Sequence, residues 1–64
     1  MAQRKPECEL LGENGNIFNL MAIASRTLIE HNMEGKAEEM RYRIYTSGSY
    51  WEALNIIADY VEIV

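Results

Sequence analysis

Cys8 and His31 are the only cysteine and the only histidine in 64 residues. Structural zinc sites draw mostly on these side chains, so a metal centre here would have to rest mainly on carboxylates, and none is expected. The same two residues are the one pair that thiolate catalysis could use. They stand in no recognisable motif, and a small buried thiol and a histidine at a helix end account for both. Ser25, Ser47 and Ser49 lack the strand-turn-helix setting of a hydrolase serine. Glu38 and Glu39 are adjacent, yet neighbouring positions on a helix point about 100° apart, so they read as charged surface rather than an acid/base pair. Gly12-Glu13-Asn14-Gly15-Asn16 fits neither a phosphate-binding loop, a dinucleotide fingerprint nor an EF-hand. No catalytic, cofactor-binding or metal-binding residue is expected, hence no enzyme, and a domain this small leaves little volume for a ligand pocket.

One segment breaks the pattern. From Arg41 to Trp51 the chain gathers two arginines, three tyrosines and its only tryptophan around a junction containing Ser47, Gly48 and Ser49. Arginine, tyrosine and tryptophan are the residue types enriched at interface hot spots. Interleaved arginines and aromatics can also stack single-stranded bases. A third reading has Tyr45, Tyr50 and Trp51 simply closing the end of the core. Charge weighs against nucleic acid, because ten acids against six bases leave a net charge of -4, whose field repels phosphates and anionic membranes. A DNA-reading helix-turn-helix fails on the same ground. Its recognition helix would carry no lysine or arginine and would present Glu52, Asp59 and Glu62.

Apolar spacing defines the elements around that segment. Ile17, Leu20, Met21, Ala24 and Leu28 recur at helical intervals, predicting a first helix over Ile17–His31 with Asn16 as its N-cap. Asn14-Gly15 between two short apolar runs is also a hairpin signal, but the longer helical pattern outweighs it. Phe18, Ala22 and Ile23 leave the first half of this helix apolar all round, so it should be central. Asn32 is suited either to the left-handed position after that helix or to the cap of the next. The second helix is predicted over Met33–Thr46, with Met33, Ala37, Met40 and Ile44 inward and a Glu39 to Arg43 pair outside. Ser49-Tyr50-Trp51-Glu52 is a capping box opening a third helix over Tyr50–Val61. Its two apolar sets, Tyr50, Leu54, Ile57 and Val61 against Ala53, Ile56, Tyr60 and Ile63, point in different directions.

The fold expected is all-α, a small three-helix bundle with a short irregular or extended N-terminal segment. A second version adds a minimal two-stranded pairing of residues 8–11 with 61–64. Residues 1–7 read as a tail and 8–64 as a single helical domain. The expected core is Ile17, Leu20, Met21, Ala24, Leu28, Met40, Ile44, Leu54, Ile57 and Val61. Apolar residues at 48% and charged residues at 25% are ordinary for a folded domain. A lone cysteine fits a reducing compartment, no apolar stretch follows Arg4 and Lys5 as in a leader, and Ile17 to Ala24 is too short to span a bilayer. A cytoplasmic location is therefore expected.

The run Asn14-Gly15-Asn16-Ile17-Phe18-Asn19-Leu20, with Ser47-Gly48-Ser49-Tyr50 through Ala53-Leu54, resembles a family of small uncharacterised bacterial proteins. These occur in Gram-positive genomes and mobile elements and share an NGNIFNL … SGSYxEAL pattern. The resemblance extends over most of Glu9 to Val61 and implies no activity, so it transfers no functional residue.

The function expected is that of a small non-enzymatic protein-interaction module. The runner-up is an accessory nucleic-acid-associated factor of a mobile element. Neither a cofactor nor a small-molecule substrate is expected. A chain this short gains most by burying surface against a partner protein or a second copy of itself. Its candidate contact surface is Arg41, Arg43, Tyr45, Tyr50, Trp51, Ile56, Tyr60 and Ile63, because the apolar members exceed what one small core can cover.

Overall fold

The computed structural model describes residues 4–64. In chain order the elements are β1 (Glu7–Cys8), α1 (Ile17–Glu30), α2 (Glu34–Tyr45), α3 (Tyr50–Tyr60) and β2 (Glu62–Ile63). The helices form a three-helix bundle. The strands pair in parallel beside it, Glu7 opposite Glu62 and Cys8 opposite Ile63. The second expected version thus exists in miniature alongside the first. Its pairing is extended by hydrogen bonds from Val64 N to Cys8 O (3.0 Å) and from Leu10 N to Val64 O (2.9 Å).

Local chemistry sets the helix ends. Asn16 Oδ1 accepts from Phe18 N at 2.9 Å and starts α1. At the other end Asn32 takes a left-handed φ of 60°, Met33 N bonds Leu28 O (2.8 Å) and Asn32 N bonds Ile29 O (3.0 Å). This is a Schellman ending with asparagine in the place usually held by glycine. Asn32 therefore serves only α1. The start of α2 has no side-chain cap, and Glu34 in its first turn supplies the favourable negative charge. Ser49 Oγ accepts from Glu52 N at 3.1 Å, so the serine leg of the capping box forms. In the turn before α1 positive φ falls on Gly12, and Asn14 Oδ1 accepts from Asn16 N.

Leu28, Met40, Ile57 and Val61 are the largest fully buried side chains, with Leu20, Met21, Ala24 and Ile44 packed around them. Ile17 and Leu54, expected in the core, are only half-buried at its edge. Four corrections follow. Ala53, Ile56, Ile57 and Tyr60 form one inward stripe of α3 at i, i+3, i+4 and i+7, so the two apolar sets are one arc shared by both neighbouring helices. Cys8 in β1 and Leu10 just after it join the core. The supposed tail is structured from its second half. Pro6 is buried, its carbonyl accepts from Glu62 N at 2.9 Å, and Lys5 Nζ donates to Ala58 O at 2.9 Å. Lys5 thereby supplies the cation that the last turn of α3 lacks; residues 1–3 lie outside the described residues. Finally, α1 is not covered all round, since Phe18, Ala22 and Ile29 face outward.

Two substitutions test this packing by urea unfolding. Glu62→Pro removes the donor to Pro6 and should cost about 1–3 kcal/mol. Ser25→Ala should be neutral or stabilising, because the buried Ser25 Oγ has no hydrogen-bond partner.

Candidate protein-interaction surface

Of six aromatic side chains, Phe18, Tyr42, Tyr45, Tyr50 and Trp51 are exposed and only Tyr60 is buried. Burying an aromatic ring is among the largest single gains open to a small core, so this distribution is unusual. Three of the exposed rings come together. Phe18 from the first turn of α1, Tyr45 from the last turn of α2 and Tyr50 from the first turn of α3 line a cavity of about 370 Å³. Ile17, Ile44 and Ala53 contribute apolar wall, and Ser47, Gly48 and Ser49 complete the lining.

The helix boundaries explain the convergence. The antiparallel α1 and α2 bring the start of the first beside the end of the second, and the short Ser47–Ser49 turn swings α3 back to the same place. Tyr50 is fixed across the gap by its hydroxyl, which donates to Gly15 O at 2.6 Å. Trp51 stands edge-on to it, with centroids 5.4 Å apart and planes at 90°. Trp51 is nevertheless 71% exposed, Tyr45 65% and Phe18 59%. Closing the end of the core, one of the readings of this junction, fails for Tyr45 and Trp51 because they leave most of their area in water.

The other expected contact residues go elsewhere. Ile56 and Tyr60 are 6% exposed and belong to the core, so neither offers a docking surface. Ile63 is half-buried in β2. Arg41 is half-buried on the side of α2 that meets α1. Arg43 is exposed but committed. Its guanidinium donates to Tyr60 Oη and to Asp59 Oδ2, both at 3.2 Å, and lies 5.6 Å from the Tyr60 ring centre. The Tyr60 hydroxyl in turn donates to Glu39. The expected Glu39–Arg43 surface pair is thus replaced by contacts to α3, the carboxylate taking the tyrosine and the guanidinium taking Asp59. The hydrogen bond to Tyr60 leads the upward shift of the Arg43 pKa, and burial leads that of Tyr60. Phe18 is the member that spacing concealed. It sits in the apolar first half of α1 and reads there as one more inward residue.

Cys8 is buried and accepts from Thr27 Oγ1 at 3.4 Å, while His31 is exposed and donates through Nδ1 to Thr27 O at 2.8 Å. They share a neighbour and no reactive geometry. Among the described residues, no three histidine, cysteine, aspartate or glutamate side chains gather into a metal-sized group, and no helix is long and apolar enough to cross a membrane. No protein-family model, curated protein or solved structure matches the chain. The reading of the site therefore rests on its geometry.

Because burial and the hydrogen bond to Glu39 hold the Tyr60 proton, its pKa lies above the ordinary 10.0. The folded state then binds more protons than the unfolded one at alkaline pH. The stabilisation is fully present below pH 10.0 and is lost as pH rises through the raised value. Alkaline unfolding followed by circular dichroism should show this loss, and Tyr60→Phe should flatten it.

Proposed function

We propose that the protein is a non-enzymatic protein-interaction module whose working surface is the aromatic cavity at the α2–α3 junction. The observation that carries this reading is the placement of Phe18, Tyr45 and Tyr50 around one concavity, with Trp51 beside it, all four left exposed by a core that holds a single ring. Aromatic rings at the rim and wall of a pocket are the usual anchors of protein interfaces, because they offer large contact area at low entropic cost. The occupant that fits is an apolar side chain, or a short run of them, presented by another protein. The cytoplasmic location and the absence of catalysis belong to this reading as well. The resemblance to small Gram-positive and mobile-element proteins brings it no activity.

The nucleic-acid reading has less support than the residue list promised. Of its two arginines, Arg43 is held by Asp59 and Tyr60, and Arg41 lies against α1, so neither stands among the exposed rings. Base stacking without a basic track is a poor match for single-stranded binding.

Photo-crosslinking tests the proposal. With p-benzoylphenylalanine in place of Tyr45 or Trp51, irradiation in cells should give discrete protein adducts, while the same group in place of Glu13, outside the cavity, should not. Adducts to nucleic acid, or none from positions 45 and 51, would count against it.

A further inference from the structure

The outward face of α1 carries a second stripe beside the one in the core. Phe18, Ala22 and Ile29 follow one another at i, i+4 and i+11 with the buried Ser25 between them at i+7, which keeps all four within one narrow face of the helix. The small pair in the middle leaves a hollow. A groove of about 410 Å³ runs there between Ala22, Ser25 and Ile29 of α1 and Arg41 of α2, with Arg26 and Glu30 exposed beside it. Phe18, one turn before Ala22, lines the aromatic cavity, so the two concavities adjoin along α1.

From its apolar floor and its charge we infer that this groove receives an acidic amphipathic helix of a partner protein, an inference that rests on the interaction-module reading and adds the chemistry of the partner. Helix-in-groove recognition uses anchors at this spacing. Two of the six basic residues border the groove against one carboxylate, although the chain as a whole carries -4. The single ion pair among the described residues is Arg43–Asp59, so Arg26 and Arg41 are left for acids from outside. A two-fold contact of the groove with itself would gather four arginines around two carboxylates, an excess of like charge that disfavours a second copy as occupant.

The test uses the full chain and a labelled peptide of about four helical turns, with leucines at i, i+4, i+7 and i+11 and glutamates on both flanks. A second peptide carries lysines in place of the glutamates. Fluorescence anisotropy should show the glutamate peptide binding at least about tenfold more tightly, by a margin that shrinks as salt is added. Amide chemical shifts should move at Ala22, Ser25, Ile29 and Arg41. Joint Arg26→Glu and Arg41→Glu should invert the preference, whereas Arg26→Lys and Arg41→Lys should keep it. Ala22→Glu should block both peptides by filling the groove, and circular dichroism checks that each variant is folded. Equal affinity for the two peptides, binding of neither, or shifts confined to Phe18, Tyr45 and Tyr50 would overturn the groove. So would a dimer that Ala22→Glu converts to monomer, because a second copy would then be the occupant. None of these results decides the aromatic cavity, which the crosslinks at positions 45 and 51 test separately.

Discussion

Each helix of the bundle contributes one buried alanine, Ala24, Ala37 and Ala53, and the whole arrangement depends on the close approach that these small side chains permit. Interaxial distance follows the size of the residues at the contact. Around three such positions, Leu28, Met40 and Ile57 fill what space remains, and little is left for rings. Tyr60 is the exception because its ring lies at the edge of the packed region, where the hydroxyl can reach Glu39 and accept from Arg43. A buried phenol without those partners would cost more than its ring gains. The other five aromatic side chains are outside as a consequence of the same tight packing.

A core so compact in so short a chain has a thin margin. The pairing of β1 with β2 ties the two ends of the folded region together, with Cys8 from β1, Leu10 just after it and Val61 just before β2 closing the core. Lys5 on the last turn of α3 and Arg43 on Asp59 add charge contacts at the same end of the molecule. The opposite end, where α1 starts and α2 meets α3, has only the Tyr50 to Gly15 hydrogen bond across the gap. That is where the concave aromatic surface lies. Strong closure at one end and an open, ring-lined hollow at the other is an arrangement suited to binding.

Much of this was legible in the residues. The spacing of Leu20, Met21, Ala24 and Leu28, the caps at Asn16 and Ser49 and the stop at Asn32 located all three helices to within a residue or so of their observed ends. Such signals are local, and local chemistry decides them. The destinations of the apolar residues beyond the main stripes were not legible. Spacing shows which residues share a face, but which of two adjoining faces meets a neighbour depends on the bundle's crossing geometry. Ile56 and Tyr60 therefore read as surplus surface and are core, while Phe18 reads as core and is surface. The strands were visible only as an alternative, since two residues paired across more than fifty carry no local signal. The candidate site was half legible. Tyr45, Tyr50 and Trp51 belong to it, whereas Arg43 is diverted into a contact with α3 that no sequence interval announces.

The central claim is that the exposed rings are kept for contact with a partner and contribute little to the fold. The direct measurement is the unfolding free energy of the double variant Tyr45→Ser, Trp51→Ser against the parent chain, by urea denaturation at constant pH. Exposed positions away from structural features change stability by about 0.5 kcal/mol or less, and that is the result expected here. A loss of about 3 kcal/mol or more, the scale of a truncated core aromatic, would mean that these rings close the core, and it would contradict the account.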